Sequence, residues 1–144
     1  MKLYCDASVF TAIVLGDVTA PAAAGCLDTP DAERLYSDLG WGELIAALGR
    51  QVRIGHLHAT VASSEVDRAR TLLRDWTDVA TISADITQAA IWLSDFTLAL
   101  KLPDTIHIAI VHRLGATLVS TDRQQVVAAR TLGIQTINPL EENR

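Results

Sequence analysis

Short apolar runs, each followed by a stretch of helix length, recur along this chain and constrain its fold more than any other feature. The first run, Leu3-Tyr4-Cys5, is closed by Asp6. Lys2 to Cys5 therefore reads as a buried strand leading into a helix over Ser8 to Leu15. Glu33 to Ser37 forms a second strand candidate. Leu39, Leu44, Ile45 and Leu48 then recur at helical spacing until Gly49, with Ser37 placed to cap that helix. From Ala59 to Trp76, residues Val61, Val66, Ala69, Leu72, Leu73 and Trp76 share one face against Arg68, Arg70 and Arg74, the pattern of an amphipathic helix. Val79 to Ile82 reads as a strand, and Ser83 and Asp85 can cap a helix running to about Leu100. Pro103 opens the next helix, which stops at Gly115. Ala116 to Ser120 is again strand-like, Arg123 to Leu132 is helical up to Gly133, and Ile134 to Ile137 closes the series before Pro139. Only Thr19 to Pro30, rich in Pro and Ala, resembles a long connection. This alternation calls for a mainly parallel sheet covered by helices on both faces. In such a sheet the ligand site lies beyond the carboxyl ends of the strands.

Composition narrows the functional classes. A length of 144 residues suits one compact domain over 1–144, and 49% apolar against 20% charged residues excludes intrinsic disorder. The formal net charge of -5 denies the molecule the overall basic surface that drives sequence-independent phosphate binding, so a nucleic-acid role needs local cations. Such cations occur between Ala47 and Asp75, where the balance is +2 against -7 elsewhere. Arg50, Arg53 and Arg68 are the candidate nucleic-acid contacts in that segment, although a solvated helix face, or one that receives an acidic partner segment, has the same composition. Cys5 and Cys26 are too few for a disulfide framework or a zinc site, which fits a reducing, cytoplasmic setting. An acid at position 6 interrupts any secretory signal, and Ala7 to Gly16 falls far short of the roughly 20 residues needed to span a bilayer.

Polar residues at strand-to-helix junctions face the crevice of a parallel sheet rather than its core. Asp6 follows the first strand, and Asp122 follows Thr117-Leu118-Val119-Ser120-Thr121, so both are expected on one rim. Glu43 lies in an otherwise apolar helical stretch, Leu39-Gly40-Trp41-Gly42-Glu43-Leu44-Ile45, and there it calls for a counter-ion. Asp104 begins the helix after Pro103, with Ile108 and Val111 turning the same face inward. Convergence of these four acids is the expectation. Each also has a structural reading, as a helix cap or as a first-turn acid favoured by the helix dipole. His107 shares a face with Asp104 but sits among Ile106, Ile108 and Ile110, and is expected to be a packed, hydrogen-bonded residue.

Tyr4-Cys5-Asp6-Ala7-Ser8, Ser37 with Glu43, Leu102-Pro103-Asp104-Thr105-Ile106-His107-Ile108-Ala109 and Leu118-Val119-Ser120-Thr121-Asp122 together resemble, in order and spacing, the PIN-domain family. Within it the chain looks most like the VapC-type toxin endoribonucleases of type II toxin–antitoxin modules. The resemblance implies a three-layer α/β/α sandwich, magnesium- or manganese-dependent cleavage of RNA to 5'-phosphate and 3'-hydroxyl ends, homodimerisation, and inhibition by a cognate antitoxin protein. It further implies that Asp6, Glu43, Asp104 and Asp122 are the catalytic acids, with Asp6 and Asp104 holding the metal. Ser8 and Ser120 match positions where the family often has Ser or Thr, and their hydroxyls could hydrogen-bond a carboxylate or a bound water. A housekeeping RNA-processing enzyme with the same site, and a catalytically idle binding module that retains the acids, are the alternatives. No G-x-G-x-x-G or G-x-x-x-x-G-K-[ST] loop points to nucleotide binding as the purpose of such a module.

Overall fold

The computed structural model describes residues 1–141. Five strands, β1 (Lys2–Cys5), β2 (Glu33–Ser37), β3 (Thr77–Val79), β4 (Thr117–Val119) and β5 (Thr136–Ile137), form one sheet in the order β3-β2-β1-β4-β5. Every pairing is parallel, with Tyr4 opposite Leu35 on one side and Leu118 on the other. Among the described residues seven helices cover it: α1 (Ala7–Leu15), α2 (Ala20–Leu27), α3 (Asp38–Arg53), α4 (Ala59–Leu73), α5 (Ser83–Leu93), α6 (Leu102–Leu114) and α7 (Arg123–Thr131).

The period-two alternation of the strands builds two cores. Leu3 and Cys5 face one layer with Phe10, Val14, Ala23, Leu27, Leu44, Leu48, Ala69 and Leu73, contributed by α1 to α4. Tyr4 and Leu118 face the other, with Ala89, Ile108, Ile110, Val111 and Ala129 from α5, α6 and α7. The result is the expected three-layer α/β/α sandwich. Because β1 is central, the rim beyond its carboxyl end is flanked by β2 on one side and β4 on the other.

Several boundaries differ from the sequence reading, each for a local reason. The segment Thr19 to Pro30 is not an open connection. Ala20–Leu27 is helical, since Pro21 is tolerated in a first turn and the alanines behind it are strong helix formers. Gly49 does not end α3, which continues to Arg53; an interior glycine costs a helix only about 1 kcal/mol. Helix α4 stops at Leu73, so Trp76 packs on the core from beyond the helix. β3 occupies Thr77–Val79 rather than Val79 to Ile82, because Thr81 turns instead to the Asp38 carboxylate and Ile82 becomes the residue preceding α5. α5 ends at Leu93, not near Leu100, and Asp95 closes a turn by accepting from the Thr97 N–H and hydroxyl. α6 does not present one inner face: Thr105 through Val111 are all buried, which explains why apolar residues flank His107 on every side of the helix. It stops at Gly115, whose φ of 60° is the left-handed conformation that favours glycine. Among the described residues, no single helix is long and apolar enough to cross a membrane.

Candidate active site

Asp6 is the first residue beyond β1 and caps α1 by accepting from the Ser8 N–H at 3.1 Å. The Ser8 hydroxyl donates to the same carboxylate oxygen, and the Ser120 hydroxyl donates to the other at 2.8 Å. Ser120 Oγ in turn accepts from the Asp122 N–H at 3.0 Å, while Ser8 Oγ accepts from the Thr121 N–H at 3.1 Å. Two serines thus knit the end of β1 to the end of β4, as the adjacency of those strands allows. Asp6 is buried, and burial pushes its carboxyl above the usual range, against the opposing pull of His107 and the serine hydroxyls.

Asp122 caps α7, accepting from Gln124 N at 2.9 Å and Gln125 N at 3.2 Å, and is exposed. The capping readings of Asp6 and Asp122 are therefore also true. Asp104 differs: it lies in the first turn of α6 but does not cap it. Burial raises its carboxyl, and the nearby charges of Asp122 and Glu43 raise it further. It lines, with Asp122, Lys101 and Gln124, an open cavity of about 380 Å³. Gln125, fully buried, donates its side-chain N–H to the Asp104 carbonyl at 3.1 Å and ties α7 to the start of α6.

The partner that Glu43 calls for is His107, whose Nε2 meets the Glu43 carboxylate in a hydrogen bond. The other ring nitrogen, Nδ1, lies 2.6 Å from the Tyr4 hydroxyl, and that hydroxyl lies 2.7 Å from Ser37 Oγ. His107 is packed and hydrogen-bonded, as its surroundings in sequence imply, and it ties Glu43 on α3 to α6, the helix that carries Asp104. Tyr4, Lys101, Gln124 and Gln125 were not legible as site residues. Tyr4 alone carried a signal, being a polar-tipped side chain in the central apolar strand.

The acids border one region but do not form a ready chelate. Among the described residues, no three His, Cys, Asp or Glu side chains lie close enough together to hold an ion jointly. Asp104 and Asp122 share a cavity, Asp6 is enclosed by serines, and Glu43 is held by His107. The candidate RNA contacts are dispersed. Arg50 and Arg53 occupy the last turn of α3, where basic residues favour the helix dipole, and Arg68 is paired with Glu65 at 3.0 Å.

The PIN domain family model matches residues 3–130. The chain belongs to the PIN-domain family. Solved structures with the same PIN fold include VapC20 of Mycobacterium tuberculosis, described as a Sarcin-Ricin loop cleaving toxin. It is 19% identical, with a TM-score of 0.71 over 95% of this chain and 99% of that one. VapBC-1 of nontypeable Haemophilus influenzae is 11% identical, with a TM-score of 0.71 and coverage of 98% and 100%. VapBC2 of Rickettsia felis, bound to a DNA fragment from its promoter, is 10% identical, with a TM-score of 0.73 and coverage of 96% and 98%. No curated protein sequence matches the chain.

Proposed function

We propose that this chain, read as a single PIN-like nuclease domain over 1–144, is a metal-dependent endoribonuclease acting as the toxin of a type II toxin–antitoxin module. The observation that carries the reading is Asp104: a half-buried carboxylate that shares an open cavity with Asp122 at the carboxyl-end rim of a PIN fold, raised by its burial first and by the charges of Asp122 and Glu43 after it. Carboxylates brought near one another in a partly dry site repel by a few kcal/mol unless a proton or a cation intervenes. The donor set is entirely oxygen, which suits magnesium or manganese. Magnesium usually takes one or two protein carboxylates and keeps several waters, so a site of this kind does not need three acids.

On this reading Asp6 and Asp104 hold the ion, and Glu43 and Asp122 complete the pocket. When bound, the ion neutralises charge on the scissile phosphate and makes water a better nucleophile at neutral pH. The remaining work falls to the chain. Ser8 and Ser120 fix both oxygens of Asp6, so that carboxylate cannot rotate away. Gln125 anchors the first turn of α6 and hence the Asp104 backbone. Glu43, held by His107 but about one-third exposed, is free to accept a proton from an attacking water. Lys101, on the same cavity as Asp104 and Asp122, is available to a phosphate oxygen. The structures of VapBC complexes support a cognate antitoxin as partner, and the family resemblance supports a homodimer working in the cytoplasm.

The test is incubation of the purified protein with RNA in magnesium, manganese or EDTA, alongside Asp6→Asn. Cleavage to 5'-phosphate ends that requires the metal and falls at least about 10- to 100-fold in Asp6→Asn is expected. Equal cleavage in EDTA, or a fully active Asp6→Asn, refutes the reading. For the toxin role, expression of the wild type without its partner should arrest growth, and Asp6→Asn should be tolerated.

A further inference from the structure

Four side chains from four elements form a single hydrogen-bonded file: Ser37 at the end of β2, Tyr4 on β1, His107 on α6 and Glu43 on α3. Ser37, Tyr4 and His107 are essentially inaccessible, whereas Glu43 reaches the surface of the site. The direction of the file is set at its buried end. The Gly40 N–H can only donate, and it donates to Ser37 Oγ at 3.1 Å. The Ser37 proton then goes to the Tyr4 oxygen, the Tyr4 proton goes to His107 Nδ1, and Nε2 carries the proton that faces Glu43. A phenol keeps its proton at neutral pH, so the buried Tyr4 hydroxyl is a donor. The reverse order strands the Ser37 proton in the core. The other neutral tautomer of His107 aims a lone pair at the carboxylate.

We propose that His107 is a positioning residue: its Nε2–H holds the Glu43 carboxylate in the orientation that RNA hydrolysis uses, and the Tyr4–Ser37 pair behind it fixes the ring and its tautomer. The cleavage part of this proposal rests on the nuclease reading; the tautomer does not. Gly40 on α3 lies beside the same ring: a Cβ added there would lie 3.6 Å from His107 Cε1 and 3.2 Å from the Phe10 ring.

Two near-isosteric variants separate positioning from simple packing. His107→Gln places an amide donor near the position of Nε2, and His107→Asn places one near Nδ1 only. In His107→Asn, kcat for RNA cleavage should fall about 10- to 100-fold, with KM changed less than about twofold. His107→Gln should recover most of that loss. Adding Glu43→Gln to His107→Asn should cost little more, because the two changes remove one interaction. Independently of activity, the 15N spectrum of the wild-type imidazole should show Nε2 protonated and Nδ1 bare, with the Nε2 proton moving in Glu43→Gln. An Nδ1-protonated ring, or equal losses in the Asn and Gln variants, overturns the proposal. If the wild type cleaves no RNA in any metal, the nuclease reading fails, and the 15N spectrum alone decides how His107 holds Glu43.

Discussion

Asp104→Asn should stabilise the protein in the absence of metal while lowering its activity. The Asp104 carboxyl is raised first by burial and then by the charges of Asp122 and Glu43, with His107 and Lys101 opposing the rise. At an effective dielectric near 20, like unit charges repel by about 4 kcal/mol at 4 Å and by less in proportion to their distance. Screening at a partly exposed site reduces the net effect to about 1 kcal/mol. For a domain of this size that corresponds to a rise in Tm of roughly 3–5 °C. The effect has a defined pH window. A carboxyl raised in the folded state binds its proton more tightly there than in the unfolded chain, so its contribution to stability falls as pH rises. The penalty is absent below the ordinary aspartate value of 3.8 and complete above the folded-state value. Thermal melts of wild type and Asp104→Asn in EDTA should therefore diverge at pH 7.5 and converge towards pH 4. Saturating magnesium should close or reverse the gap by stabilising the wild type more, by about 1.4 kcal/mol at ten times its Kd. An Asp104→Asn variant that melts at or below the wild type in EDTA at pH 7.5, or a gap that does not change with pH, refutes the electrostatic reasoning.

Other perturbations probe the scaffold. Asp85 is buried on α5 and paired by Arg113 at 2.8 and 2.9 Å, so Arg113→Ala should cost about 3 kcal/mol in urea unfolding by leaving that carboxylate unpaired. Asp85→Asn in the same background should recover part of the loss. Leu44→Ala, in the layer against α1 and α4, should lower stability by about 2–5 kcal/mol without altering magnesium binding per folded molecule. Gly40→Ala should cost about 1–3 kcal/mol, because the new methyl group meets the Phe10 ring at 3.2 Å. It should also lower RNA cleavage more than Leu44→Ala does, because it lies against His107.

Local chemistry made much of this molecule legible without coordinates. The runs Lys2–Cys5 and Glu33–Ser37, the Pro103 start and Gly115 stop of α6, and the junction acids Asp6 and Asp122 are set by apolar periodicity, proline and glycine geometry, and capping, which act over a few residues. Those signals were enough for a parallel α/β sheet and for acids at one rim. They failed where a local rule had competitors: an alanine-rich stretch read as a connection became α2, and Gly49 was carried inside α3 because packing outweighs a modest propensity cost. What only the tertiary structure decided is the set of partners. That Glu43 answers to His107, that Tyr4 stands behind it, and that Asp104 feels Asp122 but not a capping bond depend on contacts between residues up to 103 positions apart. Periodicity tells a side chain which face it occupies, but only the order of strands and the packing of helices decide what it meets there.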